Sequence, residues 1–215
     1  MKRKSIIVLV LGCLVSTAAF GAVTVQFSQS TLQISGVSRR GSVVINAALN
    51  ESTGRMYGRL NELTKVVSDD DGDGVVTFDL GHPISPRSLW VIVDVTSGSY
   101  AVVAPPGSPV IVARHAPTLL QKTDVDAADQ IAADHVAMSV LWVRPGPSGT
   151  VWRVRAADGG SSDEDHRNNG SAIASTVAFA TVVGHDKPPK KLKKDDLILV
   201  LDPFEMTYSA AVVQR

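Results

Sequence analysis

Cysteine is almost missing from this chain: among 215 residues there is one, Cys13, close to the start. A disulfide framework and a cysteine-ligated zinc site are both excluded. A cationic surplus is missing too. Lys and Arg together number 21, and so do Asp and Glu, whereas binding nucleic acid by bulk charge takes a strong positive excess to displace counterions from phosphate. Nucleic acid is therefore not an expected partner. Aromatic residues make up only 5% of the chain, which leaves little material for a stacking platform. Trp90, Trp142 and Trp152 all lie in apolar runs, so core packing is the expected role, with Trp142 or Trp152 as the only candidates for an outward sugar-stacking ring.

Catalytic signatures are absent as well. The five histidines, His82, His115, His135, His166 and His185, form no H-x-x-x-H or H-E-x-x-H pair, so spacing gives zinc no support. No G-x-S-x-G elbow occurs, since Gly98-Ser99-Tyr100 and Gly107-Ser108-Pro109 do not complete one. There is no G-x-x-x-x-G-K phosphate loop. A Ser-His-Asp triad gathered from distant positions stays open, because its members need not be close in sequence.

What is present is enough for a core: 44% of residues are apolar and 20% charged, a globular balance rather than a disordered one. The first 22 residues have the layout of a secretory signal. Lys2, Arg3 and Lys4 give a positive end, Ile6–Leu14 an apolar centre, and Ser16–Ala22 a stretch of small residues. The apolar centre is too short to span a bilayer, which takes about 20 residues. Cleavage after Gly21, with Ala19 two places before it, or after Ala22 fits the pattern. Without Lys2, Arg3 and Lys4 the mature chain has 18 basic and 21 acidic residues, a net charge near −3. Val10-Leu11-Gly12-Cys13 resembles a bacterial lipobox, which would make Cys13 a lipid anchor. Two features count against it: the apolar stretch before Cys13 is short, and Leu14 and Val15 after it stay apolar. The expected destination is the periplasm or the exterior.

From Val23 onward, short runs rich in Val, Ile and Thr are punctuated by Gly and Pro, the signature of an all-β chain. Strands are expected over Val23–Phe27, Gly41–Leu49, Arg55–Leu60, Leu63–Val67, Val75–Asp79, Leu89–Val95, Tyr100–Ala104 and Val110–Arg114. They resume over Val136–Val143, Val151–Ala156, Ala172–Val183, Leu197–Leu201 and Thr207–Val213. Asp124–Ala137 is ambiguous, a short helix or loop feeding a strand. Leu89–Val93 and Leu197–Leu201 are apolar at every position, so each should be covered on both faces.

The two halves share an order of features. Leu89-Trp90-Val91-Ile92-Val93-Asp94 lies against Leu197-Ile198-Leu199-Val200-Leu201-Asp202 without a gap, and the same register puts Tyr100 on Tyr208. Upstream, Gly81-His82-Pro83 matches Gly184-His185 with its prolines, Val75–Asp79 matches Thr176–Ala180, and Tyr57 matches Trp152. Two architectures follow. One is two similar antiparallel β-sandwich (Ig-like) units from an internal duplication, 23–106 and 107–215, joined by the stiff stretch around Pro105-Pro106-Gly107 and Pro109. The other is one larger sandwich to which each half contributes a sheet.

The sharpest local motif is Asp69-Asp70-Asp71-Gly72-Asp73-Gly74. Asp69, Asp71 and Asp73 alternate and Gly74 follows, the first half of the calcium-loop pattern D-x-D-x-D-G. Calcium takes six to eight oxygens, and such a loop turns its carboxylates inward about a glycine bend. The next ligands in that pattern are the Val75 carbonyl and Thr77. The pattern then fails, because Leu80 stands where a bidentate Glu is required and no helix flanks the loop. An EF-hand is excluded; a calcium loop between strands and a plain Asp-Gly turn both remain. Its counterpart, Gly159–Gly170, reads as a polar loop. Lys187–Lys194 is a basic run that reads as a solvated guard on the strand after it, with anionic headgroups or an acidic polysaccharide as the alternative contact.

Two functional readings are thus carried forward. The first is an exported non-catalytic β-sandwich protein with a binding, adhesion or envelope-structural role, stabilised by calcium; its partner would be an envelope component or extracellular polymer. The second is a calcium-assisted hydrolase of extracellular polymer with Asp69, Asp71 and Asp73 near its site. A deep pocket with perturbed titrating groups would favour the second.

Overall fold

The computed structural model describes residues 23–51, 59–113, 139–156, 177–184, 192–203 and 205–213. Residues 1–22, Tyr57, Asp124–Ala137, Gly159–Gly170 and Lys187–Lys191 of the basic run lie outside the described residues. The described part is all-β, with no helix among those residues.

Three sheets form. The first holds β1 (Thr24–Phe27), β2 (Thr31–Ser35) and β5 (Val75–Asp79) in the order β1-β2-β5. The second holds β3 (Ser42–Glu51), β4 (Arg59–Ser68), β6 (Ser88–Asp94) and β7 (Tyr100–Val103) in the order β4-β3-β6-β7. The third is built from β8 (Val112–Ala113), β9 (Ser139–Arg144), β10 (Thr150–Ala156), β11 (Val177–Val183), β12 (Leu197–Asp202) and β13 (Thr207–Val212), in the order β11-β10-β9-β12-β13-β8. All neighbours are antiparallel except β8 and β13, which run parallel.

The second sheet lies between the other two, and the period of two along a strand explains how. Leu89, Val91 and Val93 of β6 join Leu141, Val143, Leu197, Leu199 and Leu201 in one apolar cluster. The intervening Trp90 and Ile92 join Leu32, Ile34 and Val76 of the first sheet in another. Every residue of β6 and of β12 is buried, as their unbroken apolar runs require. Each fully buried Leu, Ile or Val contributes about 1.5–3 kcal/mol, so these two strands anchor the molecule. A chain of hydrogen bonds crosses the core shared by the second and third sheets. Arg153 Nη1 donates to Thr64 Oγ1 (2.7 Å), Thr64 Oγ1 donates to Asn46 Oδ1 (2.7 Å), and Asn46 Nδ2 donates to Ser139 Oγ (3.0 Å). Those partners let Asn46 and Ser139 be buried without loss.

The second and third sheets repeat a ladder. β6 pairs with β7 so that Val93 faces Tyr100, and β12 pairs with β13 so that Leu201 faces Tyr208. β3 flanks β6 as β9 flanks β12, with β4 and β10 outside them. Each hairpin loop has a left-handed residue two places before its tyrosine, Gly98 (φ 73°) before Tyr100 and Met206 (φ 52°) before Tyr208. The fifth strand departs from the repeat: β5 crosses to the first sheet and pairs with β2, whereas β11 stays beside β10. By ladder position Trp152, which faces Trp142, answers to Leu63, which faces Ala47.

Two elements differ from the sequence reading. β2 is an additional strand, entered by a two-residue turn at Gln29–Ser30 closed by Ser28 N to Thr31 O (2.8 Å) and Thr31 N to Ser28 O (3.2 Å). Neither turn residue has a positive φ, so the Asn-Gly signature of a tight hairpin is absent. Also, one continuous β4 takes in the end of the first and the whole of the second of two expected strands, because Asn61 and Glu62 stay in the ladder opposite Leu49 and Ala48.

Candidate metal centre

The acidic motif forms the crossover by which the chain leaves β4 in the second sheet for β5 in the first. Asp69 opens it and is 2% exposed. Its N–H donates to the Gly41 carbonyl (3.0 Å), and its Oδ2 accepts from the N–H groups of Arg40 (2.9 Å) and Gly74 (3.2 Å). Asp71 Oδ1 accepts from Asp73 N (3.4 Å) and Asp73 Oδ1 from Val75 N (2.8 Å), so each side chain bends the backbone two residues on. Gly72 and Gly74 supply left-handed φ values of 77° and 81°. At Gly74 a Cβ would also lie 3.1 Å from the Val37 carbonyl oxygen, so only glycine lets the two crossovers touch.

The result brings one carboxylate oxygen from each of Asp69, Asp71 and Asp73 within 4.8 Å of one another. That envelope can accommodate calcium, whose oxygens sit at about 2.3–2.6 Å and so can lie nearly 5 Å apart across the ion. Asp71 and Asp73 are exposed and can complete a shell with water, while Asp69 supplies the buried oxygen. Asp69 Oδ1 is buried and has no hydrogen-bond partner, an arrangement that costs free energy unless a cation or proton meets it. Burial pushes the Asp69 pKa up, but the backbone N–H groups of Arg40 and Gly74 lead the effects that outweigh it and hold the group below its ordinary value. Asp69 is therefore an anion at neutral pH. Arg40 runs across the turn, with its Cγ and Nε 3.2 and 3.4 Å from where a Cβ on Gly72 would be.

Val75 and Thr77 lie in β5, opposite Ser35 and Gln33; among the described His, Cys, Asp and Glu residues, the three aspartates come together. Asp79, one place short of the position an EF-hand glutamate takes, caps its own turn by accepting from Gly81 N (2.9 Å). That bond, with help from Ser30, lowers its pKa against a small opposing effect of burial. His82 is exposed, with Nδ1 3.1 Å from the Pro83 oxygen; His115, His135, His166 and His185 lie outside the described residues.

No protein-family model, curated protein or solved structure matches this chain. The site must be read from its own chemistry.

Sequence reasoning missed a second charged cluster. Asp196 is fully buried, and its carboxylate accepts from Arg144 Nε (2.8 Å) and Nη2 (2.7 Å), Trp142 Nε1 (2.9 Å) and Lys193 N (2.8 Å). The Arg144 guanidinium lies 5.6 Å from the Trp142 ring centre and 5.3 Å from that of Trp152, and the two rings are 4.9 Å apart. Both tryptophans are buried, which removes the outward stacking platform considered for them. The anchoring role of Asp94 was likewise missed; its Oδ2 takes the N–H (2.9 Å) and hydroxyl (2.6 Å) of Ser38 and the Ser97 hydroxyl (2.7 Å). The only sequence signal was Asp94 two residues before Thr96, an Asx-turn spacing that the Thr96 N to Asp94 Oδ1 bond (3.0 Å) completes.

Proposed function

We propose that this is an exported, non-catalytic β-sheet protein with a binding, adhesion or envelope-structural role, and that calcium at Asp69, Asp71 and Asp73 stabilises it. The observation that carries the calcium part is the buried, unpartnered Oδ1 of Asp69, whose carboxylate is one of three that converge. Support for a structural role comes from how other buried charges are used: Asp94 and Asp196 are both committed to holding turns and strands in place. Export rests on the composition of Met1–Ala22, with the mature chain starting near Ala22 or Val23.

The repeated ladder supports an internal duplication of a four-stranded unit, with β6 and β12 as equivalents. The cluster that joins Val91 to Leu199 favours one larger sandwich over two separate Ig-like units.

A melting experiment on the mature protein tests the calcium part. Calcium that binds only the folded state adds RT ln(1 + [Ca]/Kd), roughly 2.7 kcal/mol at a hundredfold excess over Kd. Millimolar calcium should raise Tm, a chelator should reverse the rise, and Asp71→Ala should abolish it. A melting curve that calcium leaves unmoved makes the motif a plain turn. The mass of exported material, showing a new N-terminus near residue 22 or a lipid on Cys13, tests the route.

A further inference from the structure

We infer that the cation at the acidic turn acts as a latch: it fastens the crossover from β2 to β3 against the crossover from β4 to β5, and so controls how firmly the first sheet is held on the second. The inference rests on the calcium reading and adds what binding does.

The chain passes between the first and second sheets at this end twice, once through residues 36–41 and once through 69–74. The two segments lie side by side and exchange hydrogen bonds: Val37 N to Gly74 O (3.2 Å), Asp69 N to Gly41 O (3.0 Å) and Arg40 N to Asp69 Oδ2 (2.9 Å). Asp69 is thus shared. One oxygen, Oδ2, holds the neighbouring crossover at Arg40 and closes its own turn at Gly74. The other, Oδ1, is buried without a partner, and one oxygen of the same carboxylate lies within 4.8 Å of an oxygen of Asp71 and one of Asp73.

Those two facts couple the ion to the crossovers. Without a cation, three carboxylate oxygens within 4.8 Å repel one another, and the buried Oδ1 gains by swinging out to water. Any such swing takes Oδ2 with it, because both oxygens belong to one rigid group, and the bonds to Arg40 and Gly74 break together. A divalent cation reverses both tendencies: it gives Oδ1 a ligand and turns repulsion into shared coordination. Arg40 sharpens the coupling. It holds a left-handed φ of 56°, which a side-chain-bearing residue adopts only when its surroundings insist, and the bond from its N–H to Asp69 is one such constraint. Freed of Asp69, Arg40 has reason to relax, and the 36–41 crossover with it.

Hydrogen exchange of the mature protein, with and without calcium chloride, tests the latch, alongside calorimetric titration of calcium. The reporters are the amides of Val37, Arg40, Asp69 and Gly74; the controls are amides in the β12–β13 ladder, in the third sheet. Where opening breaks the site, calcium at ten times Kd slows reporter exchange by about elevenfold, following 1 + [Ca]/Kd, and leaves the controls unchanged. Asp71→Asn, at an exposed residue that makes no bond to the 36–41 segment, should lose both the heat of binding and the slowing while keeping the control amides protected. Asp69→Asn should leave the reporters fast with or without calcium. Absence of any heat of binding overturns the calcium reading, and the latch with it. Binding with unmoved reporters, or with reporters and controls slowed alike, overturns the latch alone.

Discussion

Arg40 and Met206 both hold left-handed backbone with a side chain attached, at φ 56° and 52°, and their environments set opposite outcomes for replacement by glycine. The strain in such a residue is about 1–2 kcal/mol. Arg40 is exposed, and glycine keeps the N–H that Asp69 needs. Relief should exceed both the extra chain entropy of glycine and the loss of the arginine stem over Gly72. Arg40→Gly is expected to be neutral or stabilising by up to about 1 kcal/mol. Met206 stands in its hairpin where Gly98 stands in the other, yet it is 4% exposed and packs in the shared core. Deleting a buried side chain of that size costs about 2–5 kcal/mol, more than the strain returned. Met206→Gly should therefore destabilise by roughly 1–3 kcal/mol in the balance of those two effects. Denaturant unfolding of the two variants decides the matter: losses of equal size would show that strain has no part in either.

Strands β9 and β12 are held at one end by Asp196, which precedes β12 and grips Arg144 and Trp142 of β9. The pair is asymmetric, with the Asp196 side chain fully buried and that of Arg144 24% exposed. Asp196→Asn keeps the shape but offers no anion to the guanidinium, and breaking a buried pair by removing one partner costs about 3–5 kcal/mol. Its unfolding midpoint should drop accordingly, and the near-ultraviolet circular dichroism of the stacked Trp142 and Trp152 should weaken; a wild-type midpoint would make the pair incidental. Nothing in the sequence marks Asp196 as the partner of a residue 52 positions earlier, because that contact exists only once β9 and β12 are neighbours. The acidic turn was legible because its three carboxylates lie within five residues and its geometry is set by local bonds. Strands β6 and β12 were legible because burial on both faces leaves an unbroken apolar run. The shift of β5 to the first sheet was not, since Val75–Asp79 has the same alternation whichever sheet receives it.

At the scale of the whole molecule, the β6–β7 and β12–β13 hairpins pack against one core, and the fold is expected to be sensitive to alkali. Tyr100 and Tyr208 hold the same ladder position in β7 and β13, and both pack against the core that the second and third sheets share. Burial raises the pKa of Tyr100 above its usual 10, and the neighbouring charge of Tyr208 raises it further; burial raises that of Tyr208 as well. A group whose pKa is higher in the folded state gives its full contribution below the unfolded value. Between the unfolded and folded values the unfolded chain loses the proton more readily, so stability falls as pH climbs past 10. The mutual repulsion of the two phenolates makes the second ionisation harder than the first, and the cheapest relief is separation of the two sheets. Tyrosinate absorbance should thus lag behind that of free tyrosine and then rise together with loss of β-sheet circular dichroism. Tyr100→Phe with Tyr208→Phe removes the ionisable groups while keeping the rings, so the double variant should stay folded to higher pH than the wild type. A wild type and a double variant that unfold at the same alkaline pH would assign the transition to other groups and leave the paired tyrosines as packing alone.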